Sequence, residues 1–161
     1  MHPAPERWVI RPYAPEDLDA VLRIFVATVH TVNRRDYTEE QLDAWAPETP
    51  DRERWQRFLA ENSVYGAEIE GSAVGFGDLT REGYLHMLYV RADCQGWGIG
   101  SGLLAVLEKE AQGRGLAVLR TYASITARPF FERRSYRCLG EDTVTLHGVE
   151  LLRFRMEKWL F

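Results

Sequence analysis

Val90-Arg91-Ala92-Asp93-Cys94-Gln95-Gly96-Trp97-Gly98-Ile99-Gly100-Ser101 is the stretch from which the fold of this chain can be read. Tyr84–Val90 before it is apolar and aromatic and bounded by Gly83, the pattern of a buried strand. After it, Gly102-Leu103-Leu104-Ala105-Val106-Leu107-Glu108-Lys109-Glu110-Ala111 repeats its apolar residues at three- and four-residue steps, which predicts an amphipathic helix. Gly98, Gly100 and Gly102 then fall in the first turns of that helix. Each glycine there costs roughly 0.8–1 kcal/mol relative to alanine. A bound anion compensates for that cost, because bare backbone lets phosphate oxygens reach the unpaired N–H groups where the helix dipole favours negative charge. The other reading is that the glycines serve a tight turn and close helix packing.

Elimination narrows the phosphate. A nucleoside-triphosphate loop needs Lys-Ser/Thr after its last glycine, and Gly100 is followed by Ser101-Gly102. Gly100-Ser101-Gly102-Leu103-Leu104-Ala105 can be fitted to a dinucleotide fingerprint. Its glycines would then lie inside the helix, and about 20 residues on stand Arg120, Thr121 and Tyr122 instead of a ribose-binding carboxylate.

Gln95-Gly96-Trp97-Gly98-Ile99-Gly100 resembles Q/R-x-x-G-x-G/A, the pyrophosphate loop of the GCN5-related N-acetyltransferases (the GNAT family). Leu88-Tyr89-Val90 resembles the strand that this family places before the loop. Ala123–Tyr136 is similar to the family's N-x-x-A-x-x-F-Y-E-K-x-G-F segment, with Ser124 at the asparagine, Phe131 at the tyrosine and Ser135 at the glycine. The resemblance covers nearly the whole chain, and Leu85–Val90 and Ala123–Arg133 look most like the bacterial YafP-type branch. It implies acetyl-CoA as the cofactor, held by Leu88, Tyr89, Val90, Gln95, Gly96, Trp97, Gly98, Ile99, Gly100 and Ser101, with Ser124, Arg128 and Phe131 beside it. It implies too that two parallel strands splay apart around the pantetheine arm.

The 161 residues suffice for one domain with a real core, and 45% apolar with 27% charged content is ordinary for a soluble globular protein. A net charge of −4 argues against general attraction to nucleic acid or acidic membrane. Arg133, Arg134 and Arg137 read as a solvated basic face. No apolar run reaches a membrane span, and Met1–Pro12 lacks the centre of a secretion signal. Cys94 and Cys138 have no metal-ligand spacing and are too few for a disulfide framework, so a reducing cytoplasm is expected. His2, His30, His86 and His147 are scattered and predict no metal site.

In chain order, Trp8–Arg11 predicts a short strand, and Pro15-Glu16-Asp17 opens a helix running out near Asn33. Thr38-Glu39-Glu40-Gln41 is a capping box leading to Trp45, and Asp51–Glu61 is a further helix. Val64–Glu70 and Ala73–Thr80 form a hairpin about Gly71-Ser72. Gly113-Arg114-Gly115 ends the glycine helix, and Leu116–Tyr122 is a strand parallel to Tyr84–Val90 through a βαβ crossover. A helix Thr126–Arg134 and a hairpin of Tyr136–Leu146 with Val149–Lys158 complete one mixed α/β domain over residues 1–161. With the resemblance, the expected fold is GNAT-like. Its sheet is mixed and mostly antiparallel, with a parallel, splayed central strand pair and flanking helices.

Acetyl transfer to an amine needs a base, oxyanion donors and a proton for the leaving thiolate. The resemblance puts the oxyanion donor on backbone N–H near Leu88 or Tyr89. Strand alternation sets Tyr84, His86, Leu88 and Val90 on one face, and His86, interrupting an apolar strand, is the candidate base. The alternative is a histidine satisfied by a backbone carbonyl or lying at the sheet margin. Asp78 and Glu82, read as solvated carboxylates, are the reserves. Phe131 lacks the hydroxyl of the family's usual thiolate acid, leaving Tyr122, Tyr136 and Ser124 nearby. His30, Asn33, Tyr37 and Trp45, each also readable as packing, together would wall an aromatic acceptor pocket. The expectation is an acetyl-CoA-dependent N-acetyltransferase acting on a primary amine of a small molecule or peptide by direct attack in a ternary complex. A homodimer is left open. The rival is a non-catalytic acyl-CoA-binding sensor that keeps the cradle.

Overall fold

In the computed structural model, which describes residues 7–161, two four-stranded sheets meet at a broken strand. Residues 1–6, and with them His2 and half of the segment read for a secretion signal, lie outside that range. The first strand, β1 (Val9–Pro12), is followed by a 3-10 turn, Pro15–Asp17, and by α1 (Leu18–Val32). The capping box closes on α2 (Glu39–Trp45): Thr38 Oγ1 accepts from Gln41 N (3.2 Å) and Gln41 Oε1 from Thr38 N (2.9 Å). Asp51 caps α3 (Arg52–Glu61) through Arg54 N. Next come β2 (Ser63–Ile69) and β3 (Ser72–Leu79), joined at Glu70 and Gly71, both with positive φ as a two-residue hairpin turn requires.

The strand expected to run unbroken from Tyr84 to Val90 is instead two pieces, β4 (Tyr84–Leu85) and β5 (Leu88–Val90). They belong to different sheets. The first sheet has the order β1-β2-β3-β5, antiparallel throughout. After α4 (Ile99–Gly113) the chain enters β6 (Val118–Ser124), and β4 pairs with it in parallel, Tyr84 opposite Arg120 and Leu85 opposite Thr121. A short α5 (Arg128–Glu132) ends before Ser135, which takes a positive φ of 71°. It is shorter than the expected Thr126–Arg134. The hairpin β7 (Arg137–Leu146) and β8 (Val149–Trp159) completes the second sheet, in the order β4-β6-β8-β7.

The expected parallel pair is therefore present, and it splays because β5 leaves β6 and joins β3. Buried side chains of α1, among them Phe25 and Val29, pack with Phe76 of β3. Leu104 and Leu107 of α4 pack with Leu119 of β6 and Met156 of β8, so the crossover helix covers the seam between the sheets.

Candidate active site

At the start of α4 the backbone offers a row of unpaired donors. Gly98, the N-cap, has φ +83°, and its carbonyl accepts Gly102 N at 2.9 Å. Among the described residues, the N–H groups from Gly96 to Ser101 have no protein acceptor. Gln95 Nε2 donates to Val90 O (2.6 Å) and folds the loop back on the end of β5, while Trp8 Nε1 donates to Trp97 O (3.1 Å). Ile99 is buried in the core beneath the loop. Free N–H groups converging at the positive end of a fifteen-residue helix fit a phosphate.

The glycines divide by role. A Cβ on Gly102 would fall 2.7 Å from Trp8 Cζ3, so Gly102 is a close-packing glycine and not part of the phosphate surface. A Cβ on Gly100 would meet Phe130 Cε2 at 3.3 Å. Arg134, expected on a solvated face, instead lies over the Phe130 ring (3.8 Å to its centroid) and donates through Nε to Ser101 Oγ (2.9 Å).

The broken strand supplies the second part of the site. Asp78 N donates to Met87 O (3.1 Å) and Arg91 N to Val74 O (2.8 Å), with Phe76 opposite Tyr89 between them. In an antiparallel ladder these alternate residues bond to the neighbour, so Leu88 and Val90 turn their N–H groups to the opposite edge. That edge is the splay, since β5 ends its sheet. Asp78, expected as a solvated carboxylate, is fully buried. Its Oδ1 accepts from His86 N (3.0 Å) and Met87 N (2.6 Å), and its Oδ2 has no partner. Burial outweighs those bonds and pushes the carboxyl up to about 7.

Beside the splay lies a cavity of about 1150 Å³ with aromatic walls. Phe25, Trp45, Trp55 and Tyr89 form one side, the Phe25 and Trp55 centroids 4.7 Å apart and those of Phe25 and Tyr89 5.4 Å apart. His86 opens into this space, its ring 4.8 Å from that of Phe58. Desolvation by the surrounding walls, with the charges of Arg153 and Arg54, holds its imidazole below the ordinary 6.5. His86 is accordingly neutral at pH 7. Tyr84 and Tyr122 stack at 5.9 Å in the cavity wall, with the Arg153 guanidinium 3.9 Å over Tyr122, and Glu82 stands at the exposed rim.

The remaining candidates are dispersed. Tyr37 reaches the cavity, but its hydroxyl already donates to Leu152 O (2.7 Å) and accepts from Ile125 N (2.9 Å). His30 lies behind the wall, with Nε2 2.8 Å from Ala46 O. Asn33 is buried, its Nδ2 3.4 Å from Ser124 Oγ, which also accepts Ala127 N (3.0 Å). Tyr136 is buried against Phe131 and donates to Glu108 Oε2 (3.0 Å), so its hydroxyl serves α4 and not the cavity. Phe131 is itself core, and Arg128 lies over Phe154. The sequence reading missed the Asp78 bond pair, Tyr84, Trp55 and Trp8. An aspartate inside the apolar run Ala73–Leu79 was the available signal for the first.

Comparison with known proteins agrees with this geometry. The model of the acetyltransferase (GNAT) domain family matches residues 33–158. The uncharacterized N-acetyltransferase YafP of Escherichia coli K12 is 34% identical over 148 residues, 91% of this chain and 93% of that protein. A GCN5-related N-acetyltransferase from Rhodopseudomonas palustris superposes with a TM-score of 0.93 at 34% identity, over 99% of both chains. The PaiA N-acetyltransferase of Thermoplasma acidophilum, solved in complex with coenzyme A, shares the fold at 21% identity (TM-score 0.81, 95% of this chain and 99% of that one).

Proposed function

This chain belongs to the GNAT acetyltransferase family, and from that premise we infer that it moves an acetyl group from acetyl-CoA to a primary amine by direct attack in a ternary complex. The acceptor is a small molecule or a peptide end, and the whole chain forms one such domain. The observation that carries the reading is the junction of three features: unpaired N–H groups at the start of α4, a free N–H edge on β5, and an aromatic cavity into which neutral His86 opens.

Acetyl-CoA, when bound, supplies the acetyl group as a thioester activated toward amines. The N–H groups from Gly96 to Ser101 hold its phosphates, and the absence of a Cβ at Gly96 and Gly98 keeps the backbone of the loop bare. Leu88 N–H, on the free edge, donates to a carbonyl oxygen that gains negative charge. His86 takes the proton that the acceptor's ammonium must lose, directly or through one water. Tyr122, on β6 in the cavity wall, serves as the proton donor to the leaving thiolate, since Phe131 has no hydroxyl and Tyr136 is committed to Glu108. Phe25, Trp45 and Trp55 bind the acceptor's apolar body and exclude water.

The test is thiol release from acetyl-CoA with a broad panel of amines, followed by a pH–rate profile of wild type and His86→Ala. Wild-type kcat/KM rises as His86 loses its proton, and alanine removes that limb and about 10²–10⁴-fold of the rate. An intact acidic limb in His86→Ala moves the base to Glu82 or a water. Tight acetyl-CoA binding without release for any amine favours the sensor.

A further inference from the structure

We propose that Asp78 is a positioning residue, whose carboxylate pins the two peptide N–H groups at the strand break and thereby fixes where His86 points and where Leu88 presents its N–H. The inference rests on the acetyltransfer reading of the site. At His86 and Met87 the chain has left the ladder of β6 and not yet joined that of β3, so neither N–H has a main-chain acceptor. Met87 is buried and its N–H is out of reach of water, and the His86 N–H, though its side chain is exposed, faces the wholly buried Asp78. Asp78 Oδ1 takes both N–H groups, at 3.0 and 2.6 Å, while Asp78 N holds Met87 O at 3.1 Å. From the second sheet the buried Thr121 Oγ1 donates to Leu85 O at 2.8 Å. The peptide between Leu85 and His86 is thus gripped on its carbonyl side by one sheet and on its N–H side by the other.

Both reacting groups hang from this grip. The His86 side chain leaves the clamped residue toward the cavity, and the Leu88 N–H follows the clamped Met87 by one residue. Asp78 itself is fully buried and is not part of the cavity wall, so it neither touches an acceptor nor exchanges protons with one. What it contributes is one oxygen that accepts twice. Asparagine keeps that oxygen, and alanine does not.

The experiment measures kcat, KM for the best amine and acetyl-CoA affinity in wild type, Asp78→Asn and Asp78→Ala. Asp78→Ala should lose at least about 30-fold in kcat while acetyl-CoA affinity stays within about threefold, because the phosphate cradle lies farther along the chain. Asp78→Asn should recover kcat to within about threefold of wild type. In wild type, the backbone amide proton resonances of His86 and Met87 should shift together as the carboxyl titrates, and stay flat in Asp78→Asn. Equal kcat in Asp78→Ala, asparagine as damaging as alanine, or amide resonances that ignore the titration would each overturn the proposal. If alanine does not fold, the asparagine variant and the resonances decide. Wild type with no turnover for any amine sinks the acetyltransfer reading instead, and the amide titration then still reports on the grip by itself.

Discussion

A carboxyl that holds its proton to about pH 7 inside the folded chain, against an ordinary value of 3.8, makes stability depend on pH in an unusual direction. Between those values the unfolded chain releases the Asp78 proton and the folded chain keeps it, so ionisation favours unfolding. The Asp78 contribution therefore falls as pH rises from about 4 to about 7 and is constant above, with an upper bound of about 4 kcal/mol. Asp78→Asn removes this dependence. Its melting temperature relative to wild type should climb across that window, whatever the constant offset from its amide, and a parallel pair of melting curves at every pH would disprove the assignment.

Among the elements, α4 carries the most distinct division of labour. Gly100 is helical and a methyl group there would press on the Phe130 ring at 3.3 Å, a smaller conflict than at Gly102, which faces the Trp8 ring, while Gly98 sits at positive φ. Gly100→Ala should accordingly weaken acetyl-CoA binding at least tenfold, about 1.4 kcal/mol, in a protein that still melts cooperatively. Gly102→Ala should act on stability, since the ring of Trp8 must shift. Calorimetric titration beside thermal unfolding separates the two, and Gly100→Ala binding as wild type does would remove the phosphate from this turn. The helix, its glycine start and the parallel crossover were legible in local sequence because periodicity and turn residues encode them. The break in Tyr84–Val90 was not. Its seven residues are compatible with one strand, and the agent of the break, Asp78, lies across a turn on another strand. The role of Gly102 was hidden for the same reason, because Trp8 is far away in the chain. His86 was legible as the polar exception in an apolar strand. Tyr136, by contrast, turns toward Glu108, a direction set by helix packing that no spacing in the sequence records.

In the molecule as a whole, the helices over the first sheet are tied to the second sheet by side chains. The Tyr37 hydroxyl, from the connection between α1 and α2, bonds to Leu152 O of β8 and to Ile125 N just beyond β6. Tyr37→Phe leaves the half-buried Ile125 N–H without this partner and should cost about 0.5–1.5 kcal/mol in chemical denaturation. The cavity walls should loosen with it, raising KM for the acceptor more than for acetyl-CoA. Equal stability of the two proteins would show the bonds to be dispensable. The division between main chain and side chain has a further consequence, in evolutionary terms. The donors at the start of α4 belong to the backbone, and most side-chain changes leave them in place, proline and a β-carbon at the loop glycines being the exceptions. The cavity is written in side chains, each one codon change from something else. A lineage built in this way can drift from one amine to another while its hold on the acetyl donor is inherited intact.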